Sequence, residues 1–190
     1  MTASGLTDGI REFLLAFADD EHLMGQQHAE WIGVAPFLEE DLAFCSIGQD
    51  ELAHAASLYA IVAGDGDPTG VVDPAIDELA FHRDPADWRS CRLVEEPFPA
   101  VGSDQQNVEQ AVGLFDPVPG EDEAVAAGVA AAPFDTCLPT WTGRIRDRFG
   151  VDPSCTVPSP PNGRRDRSPA FTPLLERMRE VFALDPTATW

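Results

Sequence analysis

The chain has 190 residues, enough for one domain with a substantial core and too few for two comfortable ones. Its 33 acidic residues against 12 basic ones give a formal charge of −21, which repels nucleic acid and anionic membranes and excludes both as expected partners. Every basic residue is arginine, and 44% of the chain is apolar, so this is not the acidity of a disordered segment. It reads either as a solubility device for a high-salt cytosol, where screening quenches self-repulsion, or as the codon bias of a GC-rich genome.

No basic-then-apolar leader and no apolar run of membrane length is found, so the chain reads as cytoplasmic. Cys45, Cys91, Cys137 and Cys155 are scattered without metal-finger or C-x-x-C spacing, as expected of buried or idle thiols in a reducing compartment.

Helix-period patterning runs from about Thr7 to Gln27, where Ile10, Leu14, Phe17, Glu21, Met24 and His28 recur at spacings of four and three. It resumes from about Pro36 to Ala63, with Phe44, Ile47, Glu51, His54, Leu58 and Val62. The short link Gly33-Val34-Ala35-Pro36 predicts an antiparallel hairpin over residues 7–63. The run Gly64-Asp65-Gly66-Asp67-Pro68 stops the second helix. Asp65-x-Asp67-x-x-Gly70 is not a calcium loop, because Ile76 stands where the closing Glu belongs.

Residues 64–103 read as loops and short turns, broken by Pro74, Pro85, Pro97 and Pro99. Over 104–190 shorter helices are expected: Asp104–Phe115, Glu121–Ala132 and Leu138–Phe149, then a Pro-rich loop over 152–169. A last helix should start with Thr172 as cap and Pro173 at its first position, its apolar face being Leu174, Leu175, Met178, Val181 and Phe182. No period-2 strand pattern of useful length occurs. The fold expected is all-α, a single truncated ferritin-like bundle made of an N-terminal hairpin and shorter C-terminal helices.

Both stripes of the hairpin contain groups that are costly to bury unless paired or metal-bound. Glu on one helix and Glu-x-x-His on the next is half of the ligand set of a four-helix di-iron carboxylate site. The candidate metal ligands are therefore Glu21, Glu51 and His54, with iron as the possible cofactor and His28 as a residue behind them. The alternative for the same residues is a buried Glu–His ion pair. His22 and His82 carry no pattern, and no catalytic residue is assigned. Arg164, Arg165 and Arg167 form a basic cluster; it could meet phosphates of an anionic ligand such as a coenzyme A ester. In a Pro-rich loop of so acidic a chain it reads rather as solvated counter-charge.

The run Ala18-Asp-Asp-Glu-His-Leu-Met-Gly-Gln-Gln-His-Ala-Glu-Trp31, with Ala35–Ala43 and Ile47-Gly-Gln-Asp-Glu-Leu-Ala-His-Ala55, resembles the phenylacetic acid catabolism family, most closely its C-type epoxidase component. Ala80-Phe-His-Arg-Asp-Pro, Leu93-Val-Glu-Glu-Pro97 and the tail from Phe171 to Trp190 are similar to the same component. The resemblance implies a subunit of a phenylacetyl-CoA epoxidase-like oxygenase in aerobic phenylacetate degradation, mainly structural, binding a di-iron catalytic subunit. Many C-type members have lost the ligands, whereas Glu21, Glu51 and His54 stand here at the matching positions. The family carries two further core helices, with the other half of the ligand set, after the segment that ends here at Pro97. In this sequence no second Glu-x-x-His follows residue 100, and the resemblance covers roughly 10–97 and 105–190. Two other readings stay open: a metal-binding oxygenase whose site is completed by oligomerisation, and a shortened member whose stripe residues are relics. The expected partner is the catalytic subunit, a second copy, or both, because two stripes without covering helices leave a large apolar patch.

Overall fold

The computed structural model describes residues 5–64, 74–96, 116–151 and 162–184. Among them it contains α-helices, short helical turns and no strand, consistent with an all-α ferritin-like helical fold.

Helix α1 (Asp8–Trp31) starts at Thr7, whose hydroxyl accepts from the Ile10 N–H at 3.3 Å, and runs four residues past its expected end. Gly33 turns the chain with a left-handed φ of 85°. Asp41 Oδ1 accepts from the N–H groups of Gly33 (3.0 Å) and Ala35 (3.1 Å), which ties the link to the first turn of α2 (Leu38–Ala63). That helix stops at Gly64, left-handed with its N–H on the Ala60 carbonyl, as the Gly-rich run predicts.

Helix α3 (Pro74–Asp77) runs into one π turn (Glu78–His82), followed by a 3-10 turn (Pro85–Asp87) and α4 (Arg92–Glu95). Helix α5 (Glu121–Ala126) is shorter than the expected Glu121–Ala132. Left-handed Gly128 reverses the chain, and the Ala124 carbonyl takes the N–H groups of Val129 and Ala130. Helix α6 (Leu138–Phe149) has the expected bounds. Helix α7 (Phe171–Leu184) begins before Thr172, so Thr172 lies in its first turn and is not its cap. Pro173 is tolerated there because first-turn N–H groups need no intrahelical partner. The helix expected over 104–115, residues 152–161 of the Pro-rich loop and the side chains of Val181 and Phe182 lie outside the described residues.

Three apolar clusters are built on α1. Leu15 and Ala18 pack with Ala55, Tyr59, Val62 and Ala80. Leu23 packs with Trp88, Val94, Phe171 and Leu174, and Phe13 and Ala16 with Val118 and Ala124. Helix α1 is thus covered by α2, by the 88–94 segment with α7, and by α5. This corrects the expected one-sided stripe. Of its six residues only Ile10 is buried, and the deepest positions are Ala16, Ala18, Asp19 and Leu23.

Helix α2 is the opposite case. It packs on α1 and on the 74–82 segment, and leaves Leu38 (70% exposed), Leu42 (62%), Ile47 (47%) and Leu52 (39%) in water. At 100° per residue Leu38, Leu42 and Leu52 share one flank, with Ile47 on the other. Among the described residues no helix is long and apolar enough to cross a membrane.

Candidate functional site

The hairpin brings the predicted residues together. Gly25 and Gly48 face each other between α1 and α2. A Cβ on Gly25 would lie 2.8 Å from Leu52 Cγ, and one on Gly48 would lie 3.2 Å from His28 Cβ. Around this contact His28 Nδ1 meets Glu51 Oε2 at 2.5 Å, and His54 Nδ1 lies 3.4 Å from Glu21 Oε2. The first pair is mostly buried; in the second the His54 side chain is 67% exposed. Burial raises the Glu51 pKa and the Glu21 charge adds to the rise, while the hydrogen bond and charge of His28 offset part of it.

The four groups therefore pair off instead of converging. Among the described residues no set of three His, Cys, Asp or Glu side chains is arranged to hold a metal ion. A di-iron site needs carboxylates and imidazoles from four helices. The donors present do not by themselves fit that metal; with donors from another chain, Glu21, Glu51 and His54 are the ones that would face it.

A more buried polar seam lies at the level of Glu21, on the face of α1 that the stripe did not include. Asp19 is fully buried. It accepts hydrogen bonds from the Tyr59 hydroxyl (2.8 Å), the Arg89 backbone N–H (2.6 Å) and the Arg83 guanidinium. Arg83 also lies over the Trp88 ring at 4.5 Å, a cation–π contact. His22 stands beside Tyr59, Phe81 and Trp88, its Nδ1 3.4 Å from the Tyr59 oxygen. Burial, helped by the Arg83 charge, lowers its pKa from 6.5 to about 4, so the ring is neutral at pH 7. Burial and the Asp19 charge push the Tyr59 phenol well above its ordinary value.

The arginine cluster corrects the expectation of solvated counter-charge. Arg164 is buried and binds Asp20 Oδ2 at 2.6 Å. Arg167 binds Glu95 Oε1 at 2.5 Å, and the Ser168 N–H closes the other oxygen at 2.6 Å. Arg165 is half-exposed and shares Glu12 (2.8 Å) with Arg89 (2.7 Å). Burial raises the pKa of Asp20 and of Glu95, with Arg164 and Arg167 opposing. Burial alone would raise Glu12 too, but Arg89 and Arg165 hold it below its ordinary value. Arg164 and Arg165 fasten their loop to α1 through Asp20 and Glu12, and Arg167 fastens it to Glu95 of α4 and to Ser90.

A model of the family of phenylacetic acid catabolic proteins matches residues 3–100. The chain belongs to this family. The matched stretch contains the whole hairpin, both Glu–His pairs, and the Asp19–Tyr59–Arg83 seam with His22. Within the family, the chain is similar to the C-type component of the 1,2-phenylacetyl-CoA epoxidase of Escherichia coli (strain K12). The two are 39% identical over 88 residues, 45% of this chain and 32% of the relative. The chain matches about a third of the length of that curated relative. Arg164 and Arg167, which bind Asp20 and Glu95, lie beyond the family match.

Proposed function

We propose that the chain is a non-catalytic subunit of a phenylacetyl-CoA epoxidase-like oxygenase, and that α2 is the surface on which the di-iron catalytic subunit docks. The observation that carries this reading is α2 itself. A helix apolar on both flanks is ordinarily interior, yet here Leu38 and Leu42 on one flank and Ile47 on the other are exposed. Covering three such side chains is worth several kcal/mol at about 25 cal/mol per Å². The C-type relative, itself one component of such an epoxidase, supports the choice of partner.

The test is light scattering at working salt, alone and with the catalytic subunit of a phenylacetyl-CoA epoxidase. The expected result is a stoichiometric complex that Leu38→Glu/Leu42→Glu abolishes without changing the helical circular dichroism. A folded monomer that ignores the subunit, or a homo-oligomer that buries α2 and excludes it, refutes the reading. In this role Glu21, Glu51, His28 and His54 act as two Glu–His pairs between the helices of the hairpin. Metal analysis after expression with iron is expected to find none in the isolated chain; iron at one per two chains, in an oligomer, would assign them to a shared metal site instead.

A further inference from the structure

Between α2, α3 and the π turn lies a cavity of about 210 Å³, walled by Leu52, Ala55, Ala56, Ile76 and Phe81, with His22 and Tyr59 among its lining groups. Its polarity is set by the hydrogen bonds behind it. Tyr59 has one hydroxyl proton and gives it to Asp19, a carboxylate with none to return (2.8 Å). The Tyr59 oxygen is therefore an acceptor toward its other neighbours, Arg83 at 3.3 Å and His22 Nδ1 at 3.4 Å. A neutral imidazole facing an acceptor at Nδ1 carries its proton there, which leaves Nε2 as a bare lone pair.

Nε2 makes no hydrogen bond to the described residues, and His22 is one of the groups that line the cavity. An acceptor at the edge of a mostly apolar space is incomplete until a donor reaches it. The volume sets the size of that donor's carrier, since an apolar cavity of about 150 Å³ already takes benzene. Asp77 is the one carboxylate on the lining, and with a chain charge of −21 it opposes an anion.

We propose that this cavity binds a small uncharged alcohol or phenol, the hydroxyl donating to His22 Nε2 and the hydrocarbon filling the space between Leu52, Ile76 and Phe81. Binding needs the chain alone, so its failure is separable from failure of the docking reading.

The test is titration of the full chain with phenol, toluene and benzoate, followed through the His22 ring nitrogens by NMR. Phenol should bind saturably and about tenfold or more tighter than toluene, the worth of one buried hydrogen bond, and benzoate should not bind. His22→Phe should bring phenol down to the level of toluene. Ala56→Leu, at an exposed position on the lining, should weaken both neutral ligands with the helical spectrum unchanged. Should His22→Phe fail to fold, the wild-type phenol-to-toluene ratio and Ala56→Leu decide. Equal affinities for phenol and toluene, saturable benzoate binding, indifference to Ala56→Leu, or no saturable phenol binding would each overturn the proposal.

Discussion

Replacing Asp19 by Asn tests whether the buried seam holds the fold. The substitution keeps the shape and one carbonyl oxygen for Tyr59 or the Arg89 N–H, but removes the charge. Arg83, whose side chain is 8% exposed, is then left buried with an amide in place of its counter-ion. Removing one partner of a buried pair costs about 3–5 kcal/mol, most of it the penalty of the charge left behind. For a chain of this size that is a fall in Tm on the order of ten degrees. Urea unfolding followed by circular dichroism gives the number directly, and an unchanged m-value would show that the unfolded state is not the cause. Asp19→Asn/Arg83→Met should lose less than the two single changes together, by about 2 kcal/mol, because no unpaired charge remains. The exposed pair Arg177–Glu30, at 3.1 Å, is the control, and Arg177→Ala should cost about 1 kcal/mol or less. If Asp19→Asn costs no more than that control, or the cycle shows no coupling, the seam is not what fixes α1 in place.

The His22 pKa of about 4 means that between that pH and 6.5 the unfolded chain takes a proton the native one refuses. Stability should therefore fall as pH drops through this window, by about 3 kcal/mol from this group at ~1.4 kcal/mol per unit. Asp20, Glu51 and Glu95, raised by burial, act with the opposite sign, so the readout is the wild-type profile minus that of His22→Phe; no difference between pH 7 and 4.5 contradicts the assignment. Gly120→Ala should cost more than about 2 kcal/mol, since φ is 72° and the new Cβ would lie 1.8 Å from the Gly9 carbonyl oxygen. Gly128→Ala, equally left-handed but facing open space, should cost only about 1 kcal/mol, and similar melting curves for the two would refute the contact. If the formal charge of −21 is an adaptation to salt, Tm should climb from low to molar salt; a flat curve argues for codon bias.

The hairpin was legible because its signals are local: helical period, Gly33 in the link and a glycine stop. The meeting of Glu21, Glu51, His28 and His54 followed from the same spacing. Spacing could not say that Glu51 chooses His28, which depends on how far the helices slide at Gly25 and Gly48. His22 carried no pattern because its neighbours come from other elements, Tyr59 being 37 residues away. Asp19 and His22 were missed for a related reason: a single apolar stripe presumes one covered face, and α1 is covered from several sides. The arginines looked solvated because their loop is polar; the carboxylates that bury them lie 144 residues (Asp20) and 72 residues (Glu95) upstream.

That separation sets an order of assembly. Glu12, Asp19 and Asp20 are made early, on the first helix, whereas Arg83, Arg89, Arg164 and Arg165 are made later. Chains fold from the N-terminus as they emerge, so a nascent hairpin carries carboxylates destined for burial but not yet neutralised, and hydration keeps that face open. Tyr59 and then Arg83 reach Asp19 first, while Asp20, met by the Cys91 N–H, waits for residue 164 for its counter-charge. The element synthesised first is thus sealed last, and a nascent chain arrested short of Arg164 should remain open to proteases along α1 even where its hairpin is already helical.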